Sequence, residues 1–356
     1  MYKPEKKIPE VSVITSTSGI IYIVDGDDDI AEIEKGSFLS RKIIARQHKV
    51  VKVFPRPDDL LIYADDKIFI KSDNGTLHQI AEKLDPFATF PKGVLVNERT
   101  DDKKALVFID NSGNRLWEKD IIITNTMLAH NNTLFFSAFD QYMNEEYHLI
   151  QRLDIATGVN TVLIDFNLYF GNDPTFRSIG FLEYFFLYSY DNVIVCLING
   201  YKIVGIDAVD GSVKWEIGEM TDREGNKLEG FITGPLEGGV YNNNFYMLRA
   251  KSLVCLDTTN KKLTVLSWVE EDLNGDAIFI QRSSIYGNKL LYTAENHVQK
   301  KWNLVGVFDI DKEEIIWQTQ IDMAAGGFLP VAPFADEKYI YLNDTEKTLH
   351  IFKEEG

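Results

Sequence analysis

The sequence predicts an all-β fold, an eight-bladed β-propeller of four-stranded antiparallel blades, with seven blades as the alternative. Short strand-like apolar runs fill the chain, and no segment longer than two turns shows the 3.6-residue period of an amphipathic helix. The runs recur about every 46 residues. Four short antiparallel strands in about 40–50 residues is the length of one propeller blade.

The repeat is clearest in the second strand of each unit. The spacing from Val11 to Ile20 is nine residues, and the spacing from Val51 to Leu60 is the same. The eight second strands are predicted to begin near Ile20, Leu60, Val94, Leu134, Val193, Phe245, Leu290 and Tyr339. We expect one domain over residues 1–356, with blades at about 11–45, 50–82, 87–119, 121–165, 177–217, 231–268, 278–320 and 328–353.

The turn between the third and fourth strands has its own signature. Asp207 is followed by Gly four residues later and by Trp eight residues later. Asp is expected to cap the tight turn, Gly to supply a positive φ, and Trp to wedge between neighbouring blades. The predicted turn and blade-docking residues are Asp207, Gly211, Trp215, Asp309, Trp317, Asp110, Gly113, Trp117, Asp154 and Gly158.

The segment from Gly205 to Trp215 resembles the PQQ-like (quinoprotein-dehydrogenase-like) propeller repeat, Ala-x-Asp-x-x-Thr-Gly-x-x-x-Trp. Gly205 stands for the Ala, and Asp210 for the Thr. The resemblance implies the propeller fold. The quinone-binding members also use a vicinal disulfide, and Cys196 and Cys255 are far apart in this sequence. We therefore expect the repeat without its cofactor, and both cysteines as small core residues.

The last predicted blade has three strands before the chain ends at Gly356. Two alternatives remain open for it. Either residues 2–8 supply its outer strand, so that the two termini meet in one blade, or the blade has three strands.

Charge restricts the class of partner. The chain has 37 basic and 54 acidic side chains, a net charge of −17. Such a chain repels polyanions, so nucleic acid and anionic membranes are not expected partners, whereas a basic protein is. No secretory signal or transmembrane stretch is recognisable. We expect a cytoplasmic protein, unless an export signal has been removed from the N-terminus.

No motif predicts a metal, a cofactor or a catalytic residue. Asp272, Asn274 and Asp276 have the spacing of the first three calcium-loop ligands, but Ile280 and Ser283 occupy the later ligand positions. The run is therefore interpreted as a polar turn. The acidic hairpin 25–29 is interpreted as a solvated turn, and the six histidines are scattered.

The longest connections are expected at one rim, where first strands begin and second strands end. They include 165–177, 218–230, 270–277 and 322–327 between blades, and hairpins 97–104, 139–147 and 294–301. The alternative for their aromatic side chains is that the rings pack under their own loops. The predicted partner-binding residues are Phe139, Tyr142, Tyr169, Phe170, Phe176 and Trp302.

Two functions from different classes fit this fold. The first is a non-enzymatic protein-binding scaffold with an acidic, aromatic-bearing loop face, in one version an intracellular inhibitor or immunity-type protein for a basic partner. The alternative is a small-ligand binder, or a hydrolase or lyase, that uses the axial funnel. The inner strands hold few candidate polar residues, namely Lys52, Arg177, Glu183 and Arg282, and this weakens the alternative of a ligand-binding or catalytic funnel.

Overall fold

The protein is nearly all β-sheet, and its sheets are the blades of an eight-bladed β-propeller, as the sequence predicted. The computed structural model describes residues 1–16, 20–26, 29–34, 41–47, 49–56, 59–72, 76–100, 103–139, 148–172, 184–229, 238–324 and 327–355. No helix in these ranges is long and apolar enough to cross a bilayer.

The chain forms two compact units, and each is described by itself. Unit 1 comprises Met1–Ile43, Glu219–Phe231 and Pro235–Gly356; unit 2 comprises Ile44–Gly218 and Ile232–Gly234. We number the sheets 1 to 8 in chain order and count last the sheet that joins the N-terminal strand to the C-terminal strands, so that unit 2 holds sheets 2 to 5.

Unit 2 has four antiparallel sheets in which sequential strands are neighbours. Its one helix in the described residues, α1 (Phe166–Phe170), follows sheet 4. The strands are β6 (Val50–Pro55), β7 (Leu60–Ala64), β8 (Lys67–Lys71) and β9 (Leu77–Glu82) in sheet 2; β10 (Asp85–Phe90), β11 (Gly93–Thr100), β12 (Lys103–Asp110) and β13 (Arg115–Lys119) in sheet 3; β14 (Ile122–His130), β15 (Thr133–Phe139), β16 (Leu149–Asp154) and β17 (Asn160–Asp165) in sheet 4; and β18 (Tyr184–Tyr190), β19 (Val193–Ile198), β20 (Lys202–Asp207) and β21 (Val213–Ile217) in sheet 5.

Unit 1 holds sheets 6, 7 and 8 and most of sheet 1. Sheet 6 carries a fifth strand, β22, which runs parallel to β26. The strands are β2 (Val13–Ser16), β3 (Ile20–Val24), β4 (Asp29–Glu34) and β5 (Arg41–Arg46) in sheet 1; β22 (Met220–Thr221), β23 (Gly239–Tyr241), β24 (Asn244–Arg249), β25 (Ser252–Asp257) and β26 (Lys262–Trp268) in sheet 6; β27 (Ile278–Tyr286), β28 (Lys289–Asn296), β29 (Lys301–Asp309) and β30 (Glu314–Gln320) in sheet 7; and β31 (Phe334–Ala335), β32 (Tyr339–Asn343), β33 (Leu349–Glu354) and β1 (Tyr2–Ile8) in sheet 8.

The middle strands are apolar because both of their faces are covered. β19 is buried at five of its six positions, and β29 at its last seven. The outer strand β21 instead alternates, with Trp215 and Ile217 buried and Lys214 and Glu216 exposed. This alternation is expected of a strand with one face on the core and one in water. The eight second strands begin within one residue of their predicted positions.

Sheet 8 is completed by the N-terminal strand, which decides between the two predicted alternatives. β1 pairs antiparallel with β33, from Tyr2 opposite Glu354 to Ile8 opposite Leu349. Tyr2 and Ile8 are buried, whereas the residues between them are exposed. The Tyr2 ring packs on Trp317, with 5.3 Å between ring centroids, and its hydroxyl accepts a hydrogen bond from Lys289 Nζ at 2.9 Å.

Two hairpins that the sequence predicted to be long are short, which corrects that expectation. β11 continues to Thr100, which pairs with Lys103, so most of the 97–104 segment is strand. The loop between β28 and β29 has four residues, 297–300. In sheet 3, Arg115 of β13 forms an ion pair with Glu98 of β11 at 2.7 Å, which links these two strands across β12.

Candidate functional site

The Asp-Gly-Trp residues form local turns and packing contacts. Asp207 Oδ1 accepts hydrogen bonds from the backbone amides of Val209 at 2.8 Å and Asp210 at 3.2 Å. These bonds favour the ionised carboxylate, and the hydrogen bond from Val209 is the main reason why the pKa of Asp207 is lowered. Gly211 has a φ of +75°, and a side chain there would collide with the Leu163 carbonyl of sheet 4.

The same turn recurs in other sheets. The side chains of Asp110, Asp154 and Asp309 each accept a backbone amide of their own turn, from Ser112, Thr157 and Asp311 at 2.8–3.0 Å. Gly113 and Gly158 take positive φ, and Glu313 does so where the Gly is missing, at +57°. These residues shape the turns.

The three tryptophans of this signature pack within or between sheets. Trp117 Nε1 donates to the Ile155 carbonyl of sheet 4 at 2.9 Å, and its ring lies against Gly158. Trp317 of sheet 7 packs on Phe352 of sheet 8, with 5.1 Å between ring centroids. Trp215 covers Gly205, where a Cβ would collide with the indole. A small residue is therefore required at position 205, which explains the Gly in place of Ala in the repeat.

Two of the predicted aromatic residues, Tyr169 and Phe170, lie in α1 of unit 2. The Asp165 side chain caps this helix through the Asn167 amide at 2.8 Å. Phe170 is only 3% exposed and joins the core beside Phe166, so it cannot meet a partner, which corrects that expectation. Tyr169 is exposed, but its hydroxyl donates to Glu216 Oε1 at 2.8 Å. Tyr142 and Phe176 lie outside the described residues, as does the side chain of Phe139.

Trp302, in unit 1, stands at the surface. It is the second residue of β29 and is 44% exposed. Its ring meets that of Phe328, which is 39% exposed, at a centroid distance of 6.0 Å and an interplanar angle of 85°. The two rings line a groove of about 430 Å³ together with Lys300, Lys301, Asn303, Met323, Ala324 and Gly327. The sequence analysis missed Phe328, although an aromatic directly after a Gly-Gly pair in a connection was the available signal.

Other large apolar side chains are exposed at the same end of these sheets as the groove. We call unit 1 rim the end of sheets 6 to 8 formed by Trp268, Trp302 and the connections 250–251, 269–277, 297–300, 321–333 and 344–348. Its large exposed apolar side chains in the described residues are Trp268, Leu273, Val298, Trp302, Phe328 and Val331. The opposite end of these sheets carries Tyr286 and Val240 among its exposed large apolar side chains.

The two ends of these sheets also differ in charge. By sequence, the five connections of the unit 1 rim hold seven carboxylates and three lysines. The turns at the opposite end, 242–243, 258–261, 287–288, 310–313 and 336–338, hold four carboxylates and three lysines. Four of the seven rim carboxylates lie in the single link 269–277. That link therefore has the most negative potential of the rim connections.

The calcium-like run in this link is an internally bonded turn. Asp272 Oδ1 accepts the backbone amides of Asn274 at 2.7 Å and Asp276 at 3.0 Å. The buried Asn296 amide lies between the two carboxylates, 3.1 Å from Asp276 Oδ2 and 3.4 Å from Asp272 Oδ2. An amide group therefore takes the place where a cation would sit, and the polar-turn interpretation accounts for these residues.

The inner-strand polar residues considered for an axial site are placed as follows. Lys52 Nζ forms an ion pair with Asp85 at 3.2 Å and donates to the Pro86 carbonyl at 3.0 Å. Arg282 is exposed on β27. Arg177 and Glu183 lie outside the described residues. The two candidates that the structure describes lie in different units, Lys52 in unit 2 and Arg282 in unit 1.

Comparison with known proteins gives the fold. The crystal structure of BamB from Moraxella catarrhalis matches at a TM-score of 0.58 and 12% identity, over 99% of this chain and 100% of that one. The C-terminal WD40 domain of Sif2 matches at 0.66 and 9%, over 100% of this chain and 99% of that one. Quinohemoprotein alcohol dehydrogenase from Comamonas testosteroni matches at 0.57 and 9%, over 99% of this chain and 76% of that one.

At such identities the likeness concerns the fold, and it places this chain among β-propellers. No protein-family model matches the sequence, and no curated protein does.

Proposed function

We propose that this protein is a non-enzymatic scaffold that binds another protein through the unit 1 rim. The observation that carries the proposal is the surface pair Trp302 and Phe328, together with the apolar side chains exposed along the same rim. Large aromatic side chains that stay in water in the free protein are typical anchors of protein interfaces. The rim connections are fixed by hydrogen bonds to their sheets, as between Leu329 N and the Trp302 carbonyl at 3.1 Å.

The proposed partner carries a basic surface. The carboxylates of link 269–277 and the net charge of −17 would attract it and would speed the encounter at low salt. A concrete version is an intracellular inhibitor or immunity-type protein that caps a basic enzyme or toxin. The charge supports this version. The repeat around Gly205 and Trp215 supports a relation to PQQ-like propellers, and the separation of Cys196 and Cys255 in the sequence supports the loss of the cofactor.

Site-specific photo-crosslinking in cells tests the proposed surface. A photoreactive amino acid would replace Val298, which is exposed at the rim, and in a matched control Glu337, which is exposed at the opposite end of the sheets. We expect one basic protein to be captured from position 298, with a yield that falls at high salt. Capture from position 337 alone, or capture of acidic proteins from position 298, would contradict the proposal.

A further inference from the structure

The groove beside Trp302 is held open by the backbone around it. Leu329 N donates to the Trp302 carbonyl at 3.1 Å, which fixes the link after β30 against the start of β29. Phe328 N donates to Thr345 Oγ1 at 3.0 Å, so the next hairpin holds the same link. These hydrogen bonds hold Phe328 and Leu329 against their neighbours, and less entropy is lost on binding where the contacted residues are already held in place.

Aromatic rings and a thioether form the apolar walls of the groove. Two aromatic rings stand edge to face, and Met323 provides a flexible thioether beside them. Aromatic and thioether surfaces accept aromatic or branched aliphatic side chains and adapt to their shape. The volume of about 430 Å³ accommodates one large side chain and its neighbouring backbone.

The charge of the groove is opposite to that of the rim around it. Lys300 and Lys301 are both exposed and line the groove, and neither forms an ion pair with any residue that the structure describes. Glu346, a nearby carboxylate, accepts a hydrogen bond from the Ala324 amide and is thereby engaged with the link. Two lysine ammonium groups beside an apolar groove favour a carboxylate next to the inserted side chain and disfavour a cation there.

We infer that this groove binds a short segment of the partner protein, in which an aromatic or branched aliphatic side chain is flanked by acidic residues. The inference rests on the proposed function and makes it more specific. The partner presents its basic surface to link 269–277 and an acidic, apolar segment to the groove, so that the pattern of charges sets the orientation of the two proteins.

Methyl NMR of the protein with labelled methionines tests directly whether the groove binds such a segment. The Met323 resonance is assigned by its loss in Met323→Leu. The probes are acetylated, amidated pentapeptides with a central Phe between two Glu on each side, or the same Phe between Lys residues. We expect the acidic peptide to shift the Met323 methyl saturably and to bind at least about tenfold more tightly than the basic one.

Charge-reversal variants distinguish the contribution of the lysines to peptide binding from that of the apolar walls. Lys300→Glu combined with Lys301→Glu leaves both rings in place and should weaken the acidic peptide about tenfold. Lys338→Glu adds a negative charge at the opposite end of the sheets and should leave binding unchanged. Equal affinity for both peptides would overturn the inference, as would a Met323 resonance unmoved at millimolar peptide.

The same spectra test a second copy of this chain as the occupant. In that case the Met323 resonance would shift with protein concentration in the absence of peptide, and the inference would be wrong. If crosslinking from position 298 captures a basic partner while the peptides leave Met323 unmoved, the proposed function stands and the groove inference fails.

Discussion

Two aromatic pairs at or beside connections between strands differ in exposure in this protein. In unit 2, Phe170 is buried beside Phe166, and the Tyr169 hydroxyl is bound to Glu216. In unit 1, Trp302 and Phe328 remain close to half exposed and contact each other. The difference comes from the local backbone, because a capped helical turn directs the Phe170 ring inward, whereas Trp302 lies at the start of a strand. An aromatic residue in a long loop therefore indicates binding only when no local element buries it.

The largest expected effect is a difference in the free energy of unfolding between two variants, one from each aromatic pair. Phe170→Ala should lower the free energy of unfolding by about 3–5 kcal/mol, because it removes a fully buried ring from the core. Trp302→Ala should cost about 1–2 kcal/mol, since much of its ring is already in water. Urea denaturation followed by circular dichroism measures both. Equal losses would mean that the Trp302 ring supports the fold as much as Phe170 does.

A second prediction concerns how closely the strands of sheet 5 can pack. Gly205→Ala should destabilise the protein by about 1–3 kcal/mol, because its Cβ would collide with the indole of Trp215. Gly218→Ala is the control, since the same added methyl would lie 3.9 Å from the nearest atom, Lys202 Cε. Thermal denaturation compares the two variants. A neutral Gly205→Ala would show that Trp215 can move aside, and it would remove the packing reason for a small residue in the repeat.

The fold was predictable because its determinants are local. The turn between the third and fourth strands is specified by Asp207 and Gly211 acting on their own backbone, and similar chemistry recurs along the chain. The second strands could be placed from apolar runs because both of their faces are buried. The sequence did not decide whether the N-terminal strand completes the last blade, because β1 has only two buried side chains and pairs with β33 at the other end of the sequence.

The candidate site was less predictable because it depends on contacts distant in sequence. Trp302 and Phe328 are 26 residues apart, and nothing local to either residue indicates that the rings meet. The burial of Phe170 depends on the Asp165 cap and on sheet 5, whose Lys202 ammonium lies 4.9 Å from the centre of the ring. Composition and loop length locate such residues in connections but do not determine which way the rings face.

A third prediction compares the two cysteines, one in each unit. Burial raises the pKa of Cys255, in unit 1, to about 11, and it raises the pKa of the fully buried Cys196, in unit 2, well above its ordinary value. Because the thiolate is the reactive form, we expect both to resist iodoacetamide at pH 8. Raising the pH towards 11 should label Cys255 first. Mass spectrometry of peptides from the native protein identifies the site, and earlier labelling of Cys196 would show that sheet 5 opens before sheet 6.

The smallest expected effect concerns acid stability and the turn aspartates of both units. Hydrogen bonds from Thr157 lower the pKa of Asp154 in unit 2. In unit 1, partial burial is the largest single influence on Asp257 and raises its pKa, but hydrogen bonds from Asn260 and Thr259 together outweigh it, so that the pKa is lowered overall. An aspartate whose pKa is lower in the folded protein than in the unfolded one stabilises the fold above the unfolded-state pKa, near 4. This stabilisation is lost as the pH falls through the folded-state pKa.

Asp154→Asn should therefore reduce the free energy of unfolding at pH 7 by less than about 1 kcal/mol, because the carboxylate is largely solvated. In urea titrations the loss should shrink as the pH falls below about 4, whereas a loss that does not change with pH would mean that the carboxylate charge is not what stabilises the turn.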